Sequence, residues 1–195
     1  MKKLYIVLAH TGTILSRIIR MWTGDEYTHA SIALDEDLNE MYSFGRKNAY
    51  IAFIGGFVRE GIKFGTFKRF YKSEIGVYEL EVTEEQYQKV CDNIANIREH
   101  KDEYRFKIWG LVLVAFNKKR NVEKIYYCAE FVKDVLKKSD IDISGLPEVI
   151  QPEHFKGLKN TKLIYKGLFK EYKKKNNYME QLLEFMLSKK RASSH

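Results

Sequence analysis

"IYYCAEFVKDVL", residues 125–136, decides how the chain is read. A short apolar run, Ile125-Tyr126-Tyr127, stops at Cys128. Phe131, Val132, Val135 and Leu136 then recur at helical spacing. A cysteine therefore stands where an extended segment turns into a helix. Backbone N–H groups of a first helical turn are unpaired, and the helix dipole is positive there. Both favour a thiolate, and the thiolate is the nucleophilic form of cysteine. The same N–H groups can receive the oxyanion of a tetrahedral intermediate. The second cysteine, Cys91, lies mid-helix on an apolar face and reads as a packing residue. The two lie 37 residues apart and form no metal-type spacing and no disulfide framework, which points to a reducing compartment.

A thiolate nucleophile needs a base, and histidine is the usual one. Five histidines are present. His195 is terminal, His100 sits in the charged stretch "REHKDE", and His154 follows Pro152 in a connection. His29 differs: "THASIAL" (28–34) alternates like a strand, and its neighbours Ala30, Ser31 and Ala33 are small enough to leave room for a ligand. His10, closing the first apolar run in "AHTGT", is the second choice and a candidate substrate contact. After the turn "DEDLN", "EMYSF" (40–44) reads as the returning hairpin strand. It brings Ser43 or Tyr42 near His29, with Ser43 or the Glu40 carboxylate as the acceptor orienting the imidazole. A one-residue slip would exchange the faces.

Further strands are expected at 4–9 and 74–82, the latter with a slip at Tyr78, and at 162–172. Helices are expected at 13–24, with Met21 or Trp22 on the apolar face and Gly24 as stop, and from 84 to about 100. The second of these opens on a capping box made by Thr83 and Gln86. Further helices are expected at 105–116, 128–138 and 176–190. Residues 50–70 offer short strands and loops, and 140–155 a connection holding both prolines. The mixed order argues for an α+β domain over residues 1–172, followed by a basic C-terminal helix or tail, 173–195.

Composition narrows the classes. At 45% hydrophobic and 14% aromatic residues, 195 residues build a core, which excludes a disordered chain. The run Leu4–Ala9 is too short for a signal peptide, and "IWGLVLVAF" (108–116) is too short for a membrane span, so a cytoplasmic location is expected. The net charge is +8, and ten lysines and one arginine against three glutamates lie between Lys156 and Arg191. Such a surface attracts anionic partners, and the amphipathic 176–190 segment fits a membrane-surface contact or cover for its own domain. Nucleic-acid binding is disfavoured, because the thirteen tyrosines are spread along the chain.

Together, "THASIALD", the return "EMYSFGR", the later "GGFVREG" and "YYCAEFVKDVL" resemble the permuted papain-like thiol hydrolases. These belong to the NlpC-type cell-wall peptidase superfamily and are related to the lecithin–retinol acyltransferase branch. In the permuted order the histidine strand precedes the cysteine helix, and His29 precedes Cys128 by 99 residues. The resemblance extends over most of 4–172. It implies a circularly permuted papain-like fold, an antiparallel sheet packed against helices with the nucleophile at a helix N-terminus. It also implies Cys128 as nucleophile and His29 as base. Relatives carry a carboxylate where this chain has Ser43, so Glu40 or Glu60 is the substitute acceptor. Tyr127 and Tyr42 are candidate substrate contacts. The substrate implied is a peptide-like or lipid-like amide or ester, and the chemistry needs no metal or organic cofactor. The rival reading is a non-catalytic binding module of the same fold, using its basic surface on membrane or nucleic acid; Ser43 in place of a carboxylate favours it.

Overall fold

Leu4, Ile6 and Leu8 alternate with Tyr5, Val7 and Ala9, and all six are buried. A strand apolar on both sides belongs in the middle of a sheet covered on both faces. Such is the position of β1 (Lys2–His10) in the computed structural model of the chain. The structure describes residues 1–10, 24–47, 55–61, 72–106 and 125–172, together with the single residues Gly12, Arg17, Arg20, Met21, Phe67 and Phe70. β1 is flanked by β2 (His29–Ala33) and, in sequence order, by the later β5 (Glu74–Val82). β3 (Met41–Arg46) and β4 (Gly55–Glu60) continue the sheet beyond β2, and β8 (Thr161–Leu168) closes it beyond β5. The order is β4-β3-β2-β1-β5-β8, every pairing antiparallel. The molecule is thus α+β, built on a six-stranded antiparallel sheet.

Two helices cover one face. α1 (Glu84–Glu99) starts at Thr83, whose side chain accepts the Gln86 N–H while the Gln86 side chain accepts the Thr83 N–H. This is the capping box read from the sequence. α1 buries Val90, Ile94 and Ile97. α2 (Cys128–Lys138) buries Phe131, Val132, Val135 and Leu136, and packs on β2 and β3. Both helices meet Leu4, Ile6, Leu8, Ala30 and Ile32 in one cluster. On the other face Tyr5, Val7, Ala9, Ala33 and Met41 pack with Phe67, Phe169 and Tyr172.

The expected slip in β5 exists: the pairing with β8 shifts between Val77 and Tyr78. Gly24, at φ +73°, donates its N–H to the Arg20 carbonyl, the left-handed stop that glycine supplies. Other expectations are corrected. Of the two alternatives for the apolar face of 13–24, Met21 is 77% exposed, and Trp22 lies outside the described residues. The helix expected over 105–116 begins instead as β6 (Arg105–Phe106), paired in parallel with β7 (Ile125–Tyr126). Pairing across the chain overrides the local helical pattern there; residues 107–116 lie outside the described residues. The 140–155 connection contains the start of a 3-10 helix, Pro152–Gly157. The last strand ends at Leu168, and 169–172 turn helical to bury Phe169 and Tyr172. Most of the 13–24 helix, and the whole of the C-terminal segment 173–195 with its expected helix, also lie outside the described residues. Among the described residues, no helix is long and apolar enough to cross a membrane.

Candidate active site

His29 is the first residue of β2, beside Ala9 of β1. A Cβ added to Gly45 of β3 would stand 3.5 Å from His29 Cε1 and 3.7 Å from Glu60 Oε1. Small or absent side chains on the flanking strands therefore leave space for the imidazole and for what approaches it. His29 Nε2 lies 3.1 and 3.0 Å from the two carboxylate oxygens of Glu60. Ser31, two residues on and so on the same side of the strand, donates its hydroxyl to Glu60 Oε2 at 2.5 Å. The Glu60 side chain is fully buried and the His29 side chain 13% exposed. A buried carboxylate is costly unless paired, and here an imidazole and a hydroxyl satisfy it.

Cys128 is the first residue of α2 and 3% exposed. Its position is fixed from both sides. Upstream, β7 is held by β6, and the Tyr126 hydroxyl donates to Asp134 at 2.5 Å. Tyr127 is extended (φ −110°, ψ 173°) and donates its hydroxyl to the Ile150 carbonyl at 2.7 Å. Its side chain does not cap the helix. Downstream, Phe131 lies 5.4 Å from Phe44 and 5.8 Å from Phe57, ring to ring. The cysteine thus stands at a joint pinned by a strand before it and an aromatic cluster after it.

The Cys128 sulfur bears on the charge of the imidazole. Burial works against the imidazolium, but the Glu60 carboxylate and then the Cys128 sulfur, by charge and by hydrogen bonding, outweigh it. The pKa of His29 is raised from 6.5 to about 10. Nearby, burial pushes the Glu130 carboxyl in the first turn of α2 up from 4.5 to about 7, against the Tyr127 N–H, which favours its charged form.

The structure brings together three of the residues singled out from the sequence: Cys128, His29 and Glu60. Ser43, the first choice for orienting the imidazole, is buried but donates its hydroxyl to the Ala30 carbonyl at 2.9 Å. Its side chain folds back on the neighbouring strand, and Glu60 reaches across β3 in its place. Glu40 points elsewhere, to Arg59 at 2.6 Å and to the Tyr42 hydroxyl. Tyr42 is buried and stacks on Phe57. Tyr127 is likewise buried, with its hydroxyl committed to Ile150. Both hydroxyls donate to partners within the chain. His10 ends β1 one residue past Ala9, the partner of His29. Its Nδ1 is buried with no hydrogen-bond partner among the described residues, as is Thr28 Oγ1. Leaving a buried polar group unsatisfied costs about 1–3 kcal/mol. Burial and the charge of Arg20 lower the His10 pKa. Sequence reasoning missed Ser31, although its two-residue offset from His29 already placed it on the imidazole's side of the strand. It missed Phe67 too, whose ring lies 6.3 Å from that of His29.

Among the described residues, no group of three or more His, Cys, Asp or Glu side chains is arranged to hold a metal ion. Compared with known protein families and with curated proteins, the sequence matches none.

Proposed function

We propose that this protein is a cysteine-dependent hydrolase or acyltransferase on a circularly permuted papain-like fold, acting on an amide, ester or thioester. One observation carries the reading: the His29 imidazole is bonded to a buried carboxylate, Glu60, and its charged form is favoured by a sulfur, Cys128, at the start of a helix. Each neighbour has a role the chemistry needs. Glu60 orients the ring through Nε2 and stabilises its positive charge. Cys128 is the nucleophile, and the N–H groups of the first turn of α2 are the oxyanion donors. The argument for a non-catalytic module was the missing carboxylate, and Glu60 supplies one.

In the first half-reaction the Cys128 sulfur attacks the carbonyl carbon, and a C–S bond forms. The tetrahedral oxyanion collapses, the bond to the leaving amine, alcohol or thiol breaks, and that group takes a proton from the His29 imidazolium. In the second, His29 takes a proton from water or from an acceptor nucleophile, which attacks the thioester and regenerates the Cys128 sulfur. The partly exposed edge of His29 is the side from which substrate reaches the almost buried sulfur.

The test is acyl trapping. The full chain is mixed with p-nitrophenyl acetate, quenched in acid and peptide-mapped. The expected result is a hydroxylamine-labile acyl group on the Cys128 peptide, absent from Cys128→Ala and strongly reduced in His29→Ala. Acylation confined to Cys91 or to lysines contradicts the proposal.

A further inference from the structure

The geometry points to an anion-binding subsite beside the dyad, in which His10, Thr28, Arg17 and Arg20 take the carboxylate or phosphate group of the substrate. The assignment of that anion to an acyl substrate rests on the hydrolase reading above.

Three observations converge. The first is position. Ala9 pairs with His29, so His10 and Thr28, each one residue from that pair, lie at the same end of the sheet as His29, and the Thr28 N–H bonds to the Ala9 carbonyl at 3.0 Å. The second is an unmet hydrogen-bonding capacity. His10 Nδ1 and Thr28 Oγ1 are both buried without a partner among the described residues, and Thr28 as a whole is 8% exposed. Native proteins seldom leave such atoms orphaned; a ligand that bonds to both removes the anomaly. The third is charge. Arg20 and Arg17 act on His10 with their positive charges, against the single opposing carboxylate of Glu74. The two arginines are three residues apart, helical where described, and exposed. The Arg20 carbonyl accepts the Gly24 N–H, which ties that helix end to the segment leading into β2. Two guanidinium charges acting at a hydroxyl and an imidazole suit the oxygens of a carboxylate or phosphate.

The experiment follows the histidine imidazole resonances of the full chain by NMR. Sodium phosphate and sodium succinate are titrated in separate arms, against sodium chloride at matched ionic strength. A saturable shift of the His10 resonance in one arm, beyond that in chloride, is the expected result, and the arm that saturates at lower concentration tells phosphate from carboxylate. Arg17→Gln with Arg20→Gln should raise the apparent Kd at least ten-fold. A His10 resonance that moves no more with either anion than with chloride overturns the subsite, and this wild-type comparison decides even where the double variant fails to fold. Kinetics with p-nitrophenyl hemisuccinate and p-nitrophenyl valerate separates the two proposals. Acylation of Cys128 with a charged-to-neutral kcat/KM ratio near one, and no His10 shift, removes the subsite and leaves the hydrolase. A saturable His10 shift without acylation by either ester removes the hydrolase and leaves the anion site.

Discussion

At the scale of single residues, the candidate site depends on Glu60. A serine hydroxyl accepts a hydrogen bond from imidazole but adds no charge; a buried carboxylate does both. Glu60→Gln keeps the size and removes the charge. We expect the His29 pKa, followed by NMR titration, to fall from its raised position, and turnover of an activated ester to fall about 100-fold or more. An unchanged titration would mean that Glu60 does not set the imidazole's charge. The sign for stability follows. His29 binds its proton more tightly folded than unfolded, so its contribution is complete below about pH 6.5 and is lost as pH rises toward 10. Glu130 changes stability in the same direction, over a lower interval. Its carboxyl is raised from 4.5 to about 7 by burial, so the folded state carries a penalty that is absent below pH 4.5, grows through that interval and is full above it. Glu130→Gln is expected to raise the melting temperature at pH 8 and to leave it unchanged at pH 4, as thermal denaturation at the two pH values will show.

At the scale of elements, local signals were readable and distant ones were not. The Thr83–Gln86 box lies within four residues, and it starts α1 as expected. Thr83→Ala should cost about 1 kcal/mol, which for a chain of this size lowers the melting temperature by roughly 2–4 °C. The Cys128 helix carried its own apolar spacing, and β5 carried its slip at Tyr78. The 105–116 segment misled because Arg105 and Phe106 are held by Ile125 and Tyr126, some twenty residues on. Ser43 misled for a related reason. Hairpin geometry brought β3 to β2 but did not reveal that β4 would follow and send Glu60 across it. Gly45 lies beside that crossing. Its added Cβ would make ordinary contacts, so Gly45→Ala should keep most activity, whereas Gly45→Leu, extending toward His29 and Glu60, should abolish it without unfolding the sheet. Circular dichroism alongside ester turnover distinguishes the two outcomes.

At the scale of the whole molecule, His29 and Cys128 are 99 residues apart; His29 opens an interior strand, β2, and α2, which Cys128 opens, packs on Ala30 and Ile32 of the same strand. The aromatic cluster around Phe44 keys the helix to the sheet. Phe131 of α2 touches Phe44 of β3 and Phe57 of β4, and Phe44 also meets Tyr126, two residues before the cysteine. Phe131→Ala is expected to cost about 3–5 kcal/mol and to lower ester turnover at temperatures where the chain is still folded, because the seat of Cys128 loosens. Urea titration combined with kinetics reads both effects.

The central claim is that His29 activates Cys128, and the pH dependence of thiol alkylation tests it most directly. Rates of iodoacetamide modification at Cys128 and at Cys91 are measured by peptide mapping between pH 5 and 9, in wild type and in His29→Ala. The account predicts that in mild acid Cys128 reacts at least ten-fold faster than Cys91, whose thiol burial pushes up, and that this advantage disappears with His29. Equal Cys128 rates with and without the imidazole would contradict it.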